Sequence, residues 1–195
     1  WQRTGLADMS IAVNVSATQL LHSDLPRTVE RILRETGVAP EQLELELTES
    51  VLMARADLAV ERLQFFRRIG VSIAVDDFGT GYSSLAYLRR LPITTLKIDK
   101  AFIDDLGRPG DSEDAAITTT VIAMARSLGL NVVAEGVETT AQLDFLRRHR
   151  CDVIQGYWLS PPLQARQCLD FVRDWPGHAG PASPALEASA DHAVP

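Results

Sequence analysis

Two adjacent carboxylates open the stretch Asp76-Asp77-Phe78-Gly79-Thr80-Gly81-Tyr82-Ser83-Ser84-Leu85, and oxygen donors recur on either side of it. These are Asn14, Glu46, Glu49, Asp99, Glu135, Glu138 and Gln155, with one lysine, Lys97, among them. Asn, Glu and paired Asp are hard ligands, suited to Mg2+ or Mn2+ rather than zinc. Neighbouring carboxylates can bridge two cations roughly 4 Å apart, an arrangement that stabilises the attacking and leaving oxygens of phosphodiester cleavage. A lysine among such acids can orient or help deprotonate an attacking water, or it can simply pair with them. Gly79 and Gly81 allow backbone angles that other residues avoid, so the hydroxyls and amides around them can follow a phosphate or shape a mobile loop.

Other chemistries fit less well. The loop fails as a dinucleotide-binding GxGxxG, because its sixth position is Ser84, and it lacks the Gly-Lys-Ser/Thr of a P-loop. His22, His149, His178 and His192 form no HExxH pattern, and there is no Gly-x-Ser-x-Gly elbow.

The donors need elements to position them. Short apolar β-type runs lie at 10–15, 43–47, 71–75, 94–98, 131–134 and 152–154. Their ends carry the chemistry. Asn14 closes the first run, and Glu46 lies in the second with Glu49 beyond it. Asp76-Asp77 follow the third, while Lys97 and then Asp99 end the fourth. Glu135 follows the fifth, with Glu138 three residues on, and Gln155 follows the sixth. Helical periods fill the gaps at 25–36, about 50–68, about 112–128, 139–148 and 163–175, with Thr139 or Thr140 able to cap the fourth.

Strands alternating with helices predict an α/β fold with parallel strands and right-handed crossovers. An open doubly wound sheet and a closed (β/α) barrel both satisfy the pattern. A closed barrel has eight strands in roughly 250 residues, so a barrel here would have about six of its eight strands in this chain and two upstream of Trp1. The strand C-termini would then form the mouth where active sites sit.

Composition limits the function classes. The 195 residues carry 19 Lys and Arg against 26 Asp and Glu, a formal charge of −7. That balance argues against a DNA or RNA polymer as partner, since counterion release needs a basic face. With 46% hydrophobic and 23% charged residues the chain is ordinary for a globular domain. There is no apolar run of membrane-spanning length and no signal sequence at Trp1-Gln2-Arg3-Thr4. Cys151 and Cys168 show no metal-finger spacing and read as idle thiols of a reducing, cytoplasmic compartment. The stretch 176–195, rich in Ala, Pro, Gly and Ser, reads as a disordered tail after a domain spanning 1–175.

The run from Asp76 to Leu85 resembles the signature loop of EAL domains, the cyclic-di-GMP phosphodiesterases of bacteria. So do Val13-Asn14-Val15-Ser16, Leu45-Glu46-Leu47-Thr48-Glu49, Leu96-Lys97-Ile98-Asp99, Ala134-Glu135-Gly136-Val137-Glu138-Thr139 and Ile154-Gln155-Gly156-Tyr157, in the family's order. The resemblance implies a modified TIM barrel that hydrolyses cyclic di-GMP to linear pGpG with Mg2+ or Mn2+ at a two-metal site. It implies Asn14, Glu46 and Asp76 as ligands of one metal, with Asp76 bridging to a second held also by Asp77 and Glu135. Lys97 would position or activate the water, Glu49 would hold the glycine loop and Gln155 would lie near water or substrate. Gly79, Thr80, Gly81 and Ser83 would form the loop, and Asp99 and Glu138 match further family positions. A homodimer, GGDEF or sensor domains in the same parent chain, and a parent tethered to the inner membrane are implied in the same way.

One element of the family pattern is missing. The Glu-Ala-Leu motif, whose Glu is a metal ligand, does not occur in the chain and is expected upstream of Trp1, with the two remaining strands. A cyclic-di-GMP receptor without catalysis, a signalling scaffold, and an aldolase- or enolase-type barrel are the competing readings.

Overall fold

The computed structural model describes residues 9–54, 56–79, 88–107 and 113–175. Six parallel strands form one sheet in strictly sequential order: β1 (Ile11–Asn14), β2 (Leu43–Thr48), β3 (Ser72–Phe78), β4 (Thr95–Ile98), β5 (Asn131–Ala134) and β6 (Val153–Ile154). Between and after them lie α1 (Ala17–His22), α2 (Leu25–Thr36), α3 (Glu49–Ala54), α4 (Ala56–Arg68), α5 (Glu113–Ser127), α6 (Thr140–Arg148) and α7 (Ala165–Asp174). Short 3-10 turns lie at Pro40–Gln42 and Lys100–Phe102. The chain divides into a unit of Trp1–Pro161, holding the whole sheet, and a unit of Pro162–Pro195, in which α7 is described.

Alternation along each strand sorts side chains to two faces. One face carries Leu45, Leu47, Ile73, Val75, Leu96, Ile98, Val132 and Ala134, all at most 3% exposed. Helices cover it: in α4 the i, i+4, i+7 series Ala59, Leu63 and Phe66 is fully buried. The other face carries Glu44, Glu46, Lys97 and Val133, and it lines a cavity. Apolar burial on one face therefore commits the polar residues of the same strands to the other. Side chains from β2 and β4 meet across β3, as the Thr95 hydroxyl donates to Glu44 Oε2 at 2.6 Å. The sheet is thus a curled, partial barrel, and among the described residues β1 and β6 each have one neighbouring strand. The barrel alternative, with six strands, is the one observed.

Three local features differ from the sequence expectation. The helix expected over about 50–68 is found as α3 and α4, with Arg55 outside the described residues. The short helix α1 was not anticipated. Its signal was present, since Ser16 and Gln19 form a reciprocal capping box, and Arg62 of α4 closes its other end by donating to the carbonyls of Leu20 and Ser23 at 2.7 and 2.8 Å. The third strand, expected to stop at Val75, runs on to Phe78. The register against β4 shifts between Val75 and Phe78, and Asp77 has φ +54°, so Asp76 and Asp77 sit in a bulge inside β3.

Of the two candidate caps on α6, Thr139 is used, its hydroxyl accepting from Gln142 N. Burial pushes the Cys151 thiol up to about 11, so it stays protonated near neutrality, as an idle thiol should. No helix among the described residues is long and apolar enough to cross a membrane. The stretch 176–195 lies outside the described residues.

Candidate active site at the strand ends

Lys97 projects from the middle of β4 and is 3% exposed. A lone buried ammonium is costly, and this one is met on two sides. Its Nζ lies 2.7 Å from Glu46 Oε1 on β2, 2.7 Å from Glu135 Oε1 just after β5, and 3.5 Å from Asp76 Oδ1 in the β3 bulge. Burial by itself lowers the lysine pKa, but the hydrogen bonds Lys97 donates to Glu135 and Glu46 and the charges of Glu135 and Asp76 outweigh it and raise it above the ordinary value. Lys97 is therefore held as a cation.

The bulge turns two consecutive carboxylates toward this point. Ligand oxygens of Asp76, Asp77 and Glu135 all lie within 4.8 Å of one another. Asp76 Oδ1 accepts from Asp77 N at 3.0 Å. The Asp77 carboxyl is raised above its usual range by burial first, then by the charge of Asp76 and by hydrogen bonding with Asp99. Glu135 is also raised, chiefly by burial, with Lys97 opposing and Asp76 and Glu46 adding to the shift. This surplus of negative charge is what a bound cation relieves, so the donor set fits a hard divalent metal.

The raised acids make a prediction with a definite sign. A carboxyl whose pKa is higher folded than unfolded binds more protons in the native state, so stability falls as pH rises through the window just above the ordinary carboxylate range. Thermal melts from acid to neutral pH without metal should show this fall, reduced in Glu135→Gln. Excess Mn2+ should reverse its sign, because a ligated carboxylate releases its proton more readily than a free one. Parallel curves for chain and variant would refute the assignment.

The remaining sequence candidates distribute around this cluster. Asn14 is exposed at the end of β1, in register with Glu46. Glu49 begins α3, is 6% exposed, and accepts from Gly79 N at 3.3 Å through Oε2, while its Oε1 has no partner among the described residues. Gly79 has φ +100°, and a Cβ there would lie 2.9 Å from the ring of Phe102. Asp99 caps the turn after β4 by accepting from Ala101 N at 2.8 Å. Glu138 makes a short ion pair with Lys100 rather than joining the Lys97 cluster. Gln155 is exposed and lines, with Glu44, Glu46 and Lys97, a cavity of about 380 Å³. Thr80, Gly81 and Ser83 lie outside the described residues.

The sequence reading passed over Glu44, Lys100 and Gln142. Glu44 was open to detection, because Glu44-Leu45-Glu46 alternates and puts both acids on one face. Lys100 and Gln142 take their partners from segments 38 or 39 positions away, for which no local pattern exists.

The EAL domain family matches residues 1–162, the whole of the sheet-bearing unit. The chain belongs to the EAL domain family. Among relatives of this EAL chain, the bifunctional diguanylate cyclase/cyclic di-GMP phosphodiesterase MucR of Pseudomonas aeruginosa is 48% identical over 172 residues, 88% of this chain and 25% of MucR. The cyclic di-GMP phosphodiesterase NbdA of the same organism is 46% identical, over 89% of this chain and 22% of NbdA. The EAL chain thus spans about a quarter of the length of these curated relatives. The solved MucR phosphodiesterase in complex with c-di-GMP superposes with a TM-score of 0.82, covering 86% of this chain and 67% of that one. A Klebsiella pneumoniae BlrP1 structure, a manganese and c-di-GMP complex, gives 0.72 at 30% identity, covering 80% and 39%.

Proposed function

We propose that this EAL chain carries the catalytic face of a cyclic di-GMP phosphodiesterase, producing linear pGpG. The observation that carries the reading is the clustering of Asp76, Asp77 and Glu135 within 4.8 Å of one another, beside a Lys97 paired with Glu46 and Glu135, in a chain 48% identical to MucR.

Asn14, Glu46 and Asp76 would hold one Mg2+ or Mn2+, and Asp76, Asp77 and Glu135 a second. When bound, the metals supply Lewis acidity and positive charge for the phosphodiester. In the reaction, a water oxygen forms a bond to phosphorus, one P–O ester bond breaks, and the leaving oxygen takes a proton. Lys97, pinned between two carboxylates, would position or activate the attacking water. Glu49 steadies the backbone at Gly79, and with it the loop of Thr80, Gly81 and Ser83 expected to meet substrate. Gln155, which lines the cavity, would lie near water or substrate. Asp99 orients Asp77, and Glu138 braces the segment that carries Glu135. A homodimer, further GGDEF or sensor domains, a cytoplasmic setting and a domain limit at residue 175 are part of the same proposal.

Incubation of the chain, extended to carry the Glu-Ala-Leu strand that the family pattern expects, with cyclic di-GMP and Mn2+ or Mg2+, and with pGpG followed by chromatography, tests it. Metal-dependent pGpG is the expected result. Nucleotide binding without product would move the assignment to a receptor.

A further inference from the structure

We infer that Gln142 is a positioning residue that sets the Glu135 carboxylate against Lys97 and Asp76-Asp77; this rests on the metal-site reading above. Gln142 lies in the first turn of α6, and its role in the capping box asks only that its oxygen accept the Thr139 N–H, which it does at 2.9 Å. The side chain does considerably more. Its oxygen also accepts from Glu138 N at 2.8 Å, and its Nε2 donates to the carbonyls of Ile103 at 3.1 Å and Asp104 at 3.4 Å. Both lone pairs and both N–H groups of the amide are used, in a side chain only 4% exposed.

The two segments it ties together each leave a strand that carries the site. Ile103 and Asp104 follow β4, which bears Lys97 and leads to Asp99. Glu138 and Thr139 follow Glu135 by three and four residues. At its near end the Glu135 segment is fixed by Glu135 N donating to Ile98 O at 3.1 Å. At its far end it is fixed by Gln142. Between them Gly136, at φ +71°, lets the stem of Lys100 pass where a Cβ would come within 2.4 Å of it, and the Lys100 ammonium meets Glu138. A helix start alone needs neither a buried amide nor a bond to the preceding crossover. The grip fixes the distance from Glu135 to the β4 and β3 groups it must share a cation with.

Gln142→Glu keeps the acceptors and loses both donors, cutting the tie while leaving the cap. Lys100→Met removes the exposed half of the grip and, at a surface position, leaves the fold intact. Thr118→Val is the control: its buried hydroxyl bonds Phe102 O at 3.1 Å on the same turn, from α5, without touching the Glu135 segment. Mn2+ affinity measured by calorimetry on the 195-residue chain should fall about 10- to 100-fold in Gln142→Glu, the range seen when a ligand loses its supporting partner, and several-fold in Lys100→Met. It should stay within about twofold in Thr118→Val, and hydrolysis should lose kcat with KM unchanged in Gln142→Glu but not in Thr118→Val. Unchanged affinity in both Gln142→Glu and Lys100→Met, or an equal loss in Thr118→Val, overturns the inference and leaves the metal reading standing. A parent chain that binds no Mn2+ overturns both.

Discussion

Replacing Lys97 with Met is expected to reduce hydrolysis at least 100- to 1,000-fold, the scale on which a single pre-organised electrostatic group acts. The same change should lower the stability of the metal-free chain by about 3–5 kcal/mol, as when one partner of a buried ion pair is deleted. The cause is geometric. Glu46 and Glu135 each approach Lys97 Nζ at 2.7 Å and Asp76 lies at 3.5 Å, so methionine leaves three carboxylates converging on one apolar side chain. A divalent cation can offset that repulsion but cannot donate a hydrogen bond in the place of Lys97. Mn2+ should therefore recover much of the melting temperature and little of the activity. Melts with and without Mn2+, beside the pGpG assay, separate the two effects. Activity within tenfold of the parent would show that Lys97 is only a structural counter-charge.

Asp76→Asn should weaken Mn2+ binding by roughly 100-fold or more, beyond the 10- to 100-fold typical for loss of a supporting group, and bring hydrolysis to background. Asp76 is the shared member of the cluster: its oxygens lie near Asp77, Glu135 and Lys97 together. The substitution is chosen to isolate charge. The Asn oxygen can still accept from Asp77 N, as Asp76 Oδ1 does at 3.0 Å, so the bulge and its positive-φ residue keep their brace. Calorimetric titration with Mn2+ and a melt of the metal-free variant check both halves of this statement. The variant should melt no lower than the parent, because one negative charge has left a crowded site. Near-normal Mn2+ affinity would transfer the central ligand role to Asp77 or Glu135.

Much of the architecture was legible locally. Six apolar runs and the helical periods between them are short-range properties of the chain, and all six strands lie where those runs predicted. That Asn14, Glu46, Lys97, Glu135 and Gln155 gather at one edge of the sheet also follows from local reading, since parallel strands put all their C-termini on one side. The Asp76-Asp77 bulge was not legible. Nothing in Ser72–Phe78 marks the strand as continuing through two acids, because the bulge is fixed by pairing with β4 and by Asp99 beyond it. Likewise the ion pairing of Lys97 was open in the sequence. It depends on Glu46 and Glu135, 51 and 38 positions away, which only the register of β2, β4 and β5 brings to it. By itself, then, the sequence determined the order of the elements, the face each side chain takes and the kind of ligand on offer. The tertiary structure decided which of those side chains come within reach of one another, because that depends on differences of one residue in register, and burial across the whole sheet selects the register.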